Sequence, residues 1–303
     1  MSLKIIHTAD WHLGQTFFGY DREEEHDAFL NWLVDTLAEQ QTDVLLIAGD
    51  VFDVANPSAS AQRRFFHFLK EANRRNPHLQ VIVVAGNHDS AARLESPIPL
   101  LEELNTSIVG IIRRTESGEI DFDSLVIPLY NKEKKREGWC LAVPYLRQGD
   151  YPAPEEGHDT YIAGINRMYR QLYDFADARR QPGEALVAMG HLHATGAELS
   201  DDDRSERIIM GGLESVSSDT FDEGLAYTAL GHIHKAQRIG GRENLRYSGS
   251  PLPMSFSETN YRHQVVAVTV ENGCLSDVEP LPVPLFAALH RIPEQPASPE
   301  EVV

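Results

Sequence analysis

Two periods alternate along the first hundred residues. Apolar runs at 4–9, 43–48 and 80–85 are of strand length, and between them apolar positions recur with helical spacing over 22–40 and 58–75. In the segment 22–40, Phe29, Leu30, Leu33 and Leu37 share one face, and the acidic run Glu23, Glu24, Glu25 at its start suits the positive end of a helix dipole. Strand, helix, strand, helix, strand predicts a βαβαβ unit and a largely parallel sheet. The second half carries more strand patterns, near 107–112, 125–130, 139–143, 185–189, 226–230, 236–240, 245–248 and 264–270, with one helix around 159–180. A second sheet packed on the first, α/β in class, is the arrangement this order predicts. Beyond Pro280 the chain turns Pro-rich, so residues 1–280 read as the domain and 281–303 as a tail without a core of its own.

A chain of 303 residues with 42% hydrophobic content can bury a large core. None of its apolar runs approaches the roughly 20 residues of a membrane helix. The first strand begins almost at the N-terminus, with no leader pattern before it, so no membrane partner and a cytoplasmic location are expected. Cys140 and Cys274 form no CxxC motif and read as core thiols. Without a leader, the Asn105-Thr-Ser107 glycosylation match carries no weight. The net charge of −19 counts against a nucleic-acid partner, which ordinarily meets a basic face. That count does not decide a cleft, whose field decays over about 8 Å at physiological salt and which bound cations would reverse locally.

Five short islands carry the chemistry: Asp10-Trp-His12, Gly49-Asp50-Val-Phe-Asp53, Gly86-Asn87-His88-Asp89, Gly190-His191 and Gly231-His232-Ile-His234. The first three stand where a predicted strand gives way to a loop, the place where α/β sheets build their sites. Hard divalent ions take carboxylate and amide oxygen and borderline ions also take imidazole; the islands supply all three, without the cysteines of a structural zinc site. Asp10 and His12, two apart on an extended strand end, point the same way and reach one ion. Asp50, set at a strand tip behind the small Gly49, suits a bridge between two ions about 3.5–4 Å apart. Asn87 offers a neutral oxygen, His191, His232 and His234 offer imidazoles, and His88 a proton donor or charge stabiliser. His7 and His193 neighbour islands but fall out of register. His26, His67, His78, His158, His263 and His290 lie outside the motifs and read as structural.

The order DxH, GDxxD, GNHD, GH, GHxH resembles the calcineurin-like metallophosphoesterase superfamily, whose fold is a sandwich of two mixed β-sheets flanked by helices. More narrowly, His7-Thr-Ala-Asp-Trp-His-Leu-Gly14, Ala48-Gly-Asp-Val-Phe-Asp53 and Tyr247-Ser-Gly-Ser-Pro-Leu-Pro-Met-Ser-Phe256 are similar to the bacterial SbcD family of nucleases. The resemblance implies one ion held by Asp10, His12, Asp50 and His234, and a second by Asp50, Asn87, His191 and His232, with manganese as the activator. It implies His88 as the catalytic histidine, and Asp53 is expected to orient His88 by a hydrogen bond. It further implies a two-metal DNA exonuclease and endonuclease acting in double-strand break repair and hairpin processing, a homodimer, and an SbcC-like ATPase partner. A capping region and the docking segment for that partner are expected past the length of this chain, with 281–303 as the start of the cap.

DNA contact is expected from Phe17, Phe18, Tyr20 and Arg22 in an aromatic and basic loop after the first island, and from Arg63, Arg64 and Arg93 near the next two. Lys132-Glu-Lys-Lys-Arg136, interleaved with acid, reads as a solvated turn. An alternative enzyme reading is a small-molecule phosphoesterase acting on nucleotides or cyclic nucleotides, which the acidic charge favours and the Gly249–Phe256 stretch disfavours. A non-catalytic scaffold would lack ligands, and none is missing.

Overall fold

The computed structural model describes residues 2–152, 161–198 and 215–290. Two six-stranded sheets pack face to face. The first runs β14 (Cys274–Pro282), β13 (Gln264–Glu271), β1 (Ser2–Thr8), β4 (Val44–Ala48), β5 (Gln80–Val84), β6 (Thr106–Val109). Its β1, β4, β5 and β6 are parallel, and β13 and β14 extend it as an antiparallel hairpin. The second runs β11 (Gln237–Arg238), β12 (Leu245–Tyr247), β10 (Tyr227–Gly231), β9 (Ala185–His191), β8 (Arg136–Ala142), β7 (Val126–Tyr130), with four parallel strands inside two antiparallel edges. A two-strand hairpin, β2 (Thr16–Phe17) and β3 (Tyr20–Asp21), follows the first island. The helices are α1 (Glu23–Glu39), α2 (Ala59–Arg75), the short α3 (Ala91–Glu95) and α4 (Ile98–Leu101), and α5 (Tyr161–Asp177).

The two-residue period of the central strands divides the core. Val44, Leu46 and Ala48 of β4 face the second sheet, joining Ile82, Val84, Leu141, Val187 and Met189. The intervening Leu45 and Ile47 face α1 and α2, where they meet Phe29, Leu33, Leu37, Phe65 and Phe68. Strands buried on both faces read as continuous apolar runs, which is why 43–48 and 80–85 are so legible. α2 starts at Ser58, whose hydroxyl accepts from Ala61 N at 3.1 Å. α5 sends Ile165, Met168, Tyr169 and Leu172 into the core of the second sheet. Among the described residues no helix is long and apolar enough to cross a membrane.

Two expectations change. Cys140 is a buried thiol as anticipated, but Cys274 is exposed, at the turn of the edge hairpin. The strand it opens, β14, has no counterpart in the sequence reading. An edge strand exposed on most positions shows no apolar alternation, and its Pro280 and Pro282 are tolerated only because no further strand needs their N–H. The pairing continues through Pro282, and Val283 is buried against the helix-side core.

Candidate metal centre

The loops that leave the C-terminal ends of β1, β4, β5, β9 and β10 converge where the two sheets meet, and each delivers one island. The backbone there is unusual: Asp10, His12, Asp50 and His232 hold φ of 57°, 45°, 49° and 103°. Non-glycine residues occupy this region at a cost, and such outliers gather at functional sites. This revises the geometry of the first island. β1 ends at Thr8, so Asp10 and His12 converge through left-handed turns and not through strand alternation. Gly49 is required beside Asp50, because its φ is 92° and a Cβ there would run into the His191 ring.

Three clusters of donor atoms result. Asp10, His12 and His234 each place a ligand atom within 4.8 Å of the others; so do Asp50, His191 and His232, and so do His12, Asp50 and His88. Asn87 belongs to the second cluster, with Oδ1 2.9 Å from His191 Nε2 and 3.0 Å from His232 Nδ1. Asp50 Oδ2 lies 3.2 Å from His191 Nε2 and 3.8 Å from His12 Nε2, which puts this carboxylate between the clusters. The residues expected as ligands are therefore brought together in two groups that meet at Asp50.

The donors fit divalent cations. Asp10 Oδ2 and both ring nitrogens of His12 are buried and have no hydrogen-bond partner among the described residues, a costly condition that an ion would relieve. His191 Nδ1 donates to the Ala48 carbonyl at 2.9 Å, so the Nε2 lone pair of the neutral ring faces two oxygens, Asp50 Oδ2 and Asn87 Oδ1. With the ring neutral these three acceptors suit a shared divalent cation, and without an ion a proton on Nε2 takes that place. Burial opposes charge on His191, but Asp50 and Asp10 outweigh it and lift its pKa to about 9. Burial raises Asp10 to about 6 against the pull of His191 and His234. For Asp50, burial is overcome by His191, His12 and His88, which hold it well below the usual carboxylate range.

His88 is partly exposed, as are Asn87 and His232, and hydrogen bonds to two loops hold it. Its main-chain N–H donates to Asp50 Oδ1 at 2.9 Å and its Nδ1 to the main-chain carbonyl of Asp53 at 2.8 Å. Asp53 thus does hold His88, but through its backbone; its carboxylate Oδ1 stands 3.4 Å from His12 Nδ1. Side-chain identity at 53 is for this reason not what fixes the His88 ring.

Sequence reasoning missed two carboxylates. Asp89, buried inside the GNHD island, accepts from Val51 N (3.2 Å), Phe52 N (3.0 Å) and Gly86 N (2.9 Å), clamping the loop of Asp50 to the loop of Asn87. Glu258, wholly buried, accepts from His234 Nδ1 (3.1 Å) and Met254 N (2.8 Å). The only available signal for Glu258 was its place two residues after Phe256.

The expected DNA contacts divide. Tyr20, Arg63 and Arg93 are exposed, Phe17 is half-buried and Phe18 is exposed. Arg22 is corrected: it is buried, with its guanidinium bonded to Glu25, Gln15 and the Pro253 carbonyl, so it has no face for a phosphate. Arg64 is corrected likewise, being paired with Asp27 and Glu23. His7 is buried between the sheets, bonded to Tyr227 Oη (3.0 Å) and the Leu230 carbonyl (3.1 Å), and takes no part in the site. The Lys132–Arg136 turn joins β7 to β8 at the opposite end of the sheets, and Lys135 and Arg136 pair with Glu137 and Glu184. His158 lies outside the described residues.

A family model for calcineurin-like phosphoesterases matches residues 3–236. The chain is 40% identical over 302 residues to the SbcD component of nuclease SbcCD from Rhodobacter capsulatus, covering 98% of this chain and 73% of the relative. It is 38% identical over 296 residues to the component of the same name in Escherichia coli K12 (93% and 69%), and 33% over 281 residues to that of Bacillus subtilis 168 (89% and 67%). A site of shared carboxylates and imidazoles at the meeting of two mixed sheets, joined to these likenesses, establishes that the chain belongs to the calcineurin-like phosphoesterase family, in its SbcD nuclease branch.

Proposed function

We propose that this chain cleaves DNA phosphodiester bonds with two manganese ions, one held by Asp10, His12, Asp50 and His234, the other by Asp50, Asn87, His191 and His232. It is a metal-dependent phosphodiesterase of the nuclease type. The observation that carries the residue roles is the pair of donor clusters with Asp50 between them, together with buried Asp10 Oδ2 and His12 ring nitrogens that have no hydrogen-bond partner among the described residues. When bound, divalent ions supply Lewis-acid charge to phosphate oxygens and lower the pKa of water, which is the chemistry phosphodiester hydrolysis needs.

The chain's own contribution is placement. Asp10 and Asp50 bring negative charge into a buried site and so set the site to receive cations and then a phosphate anion. Asp89 holds the Asp50 and Asn87 loops in register, and Glu258 holds the His234 ring. His88, with Nδ1 tied to the Asp53 carbonyl and its main chain bonded to Asp50, stabilises or protonates the departing oxygen. Phe17, Tyr20, Arg63 and Arg93 contact the DNA. By the names of its relatives, the chain acts with an SbcC-type ATPase, and we place it in the cytoplasm as a homodimer.

The test is a metal-loaded pair of variants assayed on linear duplex, hairpin and single-stranded DNA beside an aryl phosphodiester. His88→Ala keeps two manganese ions per chain by calorimetry and loses turnover by about 10²- to 10⁴-fold, the range of one general acid. Asp50→Ala loses manganese. Full nuclease activity in metal-loaded His88→Ala would sink the catalytic assignment. Hydrolysis of the aryl ester by the wild-type chain without DNA cleavage would favour the small-molecule reading, which the net charge of −19 otherwise supports.

A further inference from the structure

The β2–β3 hairpin ends in a turn whose residues suit it poorly. Phe17 pairs with Tyr20, which leaves Phe18 and Gly19 as a two-residue turn with φ of 49° and 86°. Positive φ at both central positions is the type I′ geometry, in which Asn, Asp and Gly fit and a bulky side chain is strained. Phe18 nevertheless occupies the first position, 70% exposed, so the strain is not offset by burial. Its ring neighbours are Phe17, at 5.1 Å between centroids, and Phe256, at 5.2 Å; Phe256 is itself 44% exposed, and Tyr20 78%.

This aromatic rim is tied to the metal centre at two points. The hairpin begins four residues after His12, and Phe256 precedes by two residues the Glu258 that bonds His234. Arg22 braces it from behind: its guanidinium lies 5.2 Å over the Phe17 ring and donates at 2.7 Å to the Pro253 carbonyl, fixing the hairpin to the turn that carries Phe256. A strained, exposed aromatic on a braced support is explained by what it meets outside the molecule. Flat π faces suit a nucleobase, and the nearby Arg22 and Arg64 are consumed by acidic partners, so the rim reads bases and not phosphates. Bases stacked inside a duplex hide their faces.

We propose that Phe18, with Phe17 and Phe256, forms a stacking platform for an unpaired nucleobase beside the scissile phosphodiester, directing the chain to single-stranded, frayed or hairpin-loop nucleotides. The proposal rests on the nuclease reading above. Its test compares wild type with Phe18→Asn, which suits the turn, on single-stranded oligonucleotides carrying one abasic nucleotide moved through the positions flanking the main cut, and on an aryl phosphodiester. Wild-type kcat/KM drops roughly five- to hundredfold when the stacked base is removed, the span expected of one base–aromatic stack. Phe18→Asn loses a similar factor on intact DNA, no longer distinguishes the abasic series, hydrolyses the aryl ester at the wild-type rate, and melts at or above the wild-type temperature. Wild-type kinetics of Phe18→Asn on both intact and abasic DNA overturn the platform. So does an equal loss on the aryl ester, which would make Phe18 a support of the metal centre, and so does a changed oligomeric state with unchanged DNA kinetics, which would make the rim a protein contact. Failure of the wild-type chain to cut any DNA while hydrolysing the ester is a separate result, and removes the nuclease reading itself.

Discussion

Replacing Asp89 with Asn probes how the metal centre is held without touching a ligand. Its Oδ2 accepts from Val51 N and Gly86 N, and its Oδ1 from Phe52 N, in a site 1% exposed. An amide keeps one oxygen. At best that oxygen serves Val51 and Gly86, and the new NH₂ then faces the Phe52 N–H, leaving a buried donor unpaired at about 1–3 kcal/mol. The two surviving bonds lose their charge assistance, roughly half their strength. Against this, burial and the Asp50 charge already disfavour an ionised Asp89 and push its pKa up, so removing the charge returns part of the loss. The net expectation is about 2 kcal/mol, or roughly 4 °C in Tm for a chain of this size. Val51 follows Asp50 and Gly86 precedes Asn87, so the same change loosens the spacing between the bridging carboxylate and its neighbour. Manganese affinity should then fall by about 10- to 100-fold, as for other partners that orient ligands. Thermal melts in EDTA and calorimetric manganese titration measure the two effects separately. An Asp89→Asn protein that melts with wild type and binds manganese as tightly would refute the clamp.

Two further outcomes are expected. Glu258→Gln keeps the volume of the side chain but sets an amide against either His234 Nδ1 or Met254 N, so manganese affinity should fall by about tenfold or more with the fold intact by circular dichroism; undiminished affinity would remove Glu258 from the support of the site. His7, desolvated by burial, has its pKa lowered from 6.5 to about 3, so its neutral form contributes fully above pH 6.5 and that contribution is lost as pH falls toward 3. At pH 5 the loss is about 2 kcal/mol. Urea unfolding in EDTA at pH 7.5 and pH 5 should show His7→Gln losing about that much less than wild type, and identical pH dependence of the two would contradict it.

The elements that carry the site are legible in the sequence because they are buried on both faces. β4 and β5 leave no polar position to interrupt their runs, and α1 and α2 show the one-sided stripe of helices packed on a sheet. The edge strand β14 gave no such signal, since a strand exposed on most positions and rich in proline has the composition of a loop. Arg22 misled for a related reason. Charge and position suggested a surface contact, while its burial depends on Gln15 and Pro253, residues that only the fold brings to it.

The candidate donors are legible in the sequence: Asp10, His12, Asp50, Asn87, His191, His232 and His234 stand out by residue type and by their order at the ends of strands, because a metal site demands particular donor atoms and the fold brings those positions together. What the tertiary structure decided is how they are held. Asp89 clamps two loops through backbone N–H groups, Glu258 reaches His234 across 24 residues, and Asp53 fixes His88 through a carbonyl that every residue type possesses. Hydrogen bonds of this kind depend on where the backbone runs, and long-range packing sets that course where local sequence does not.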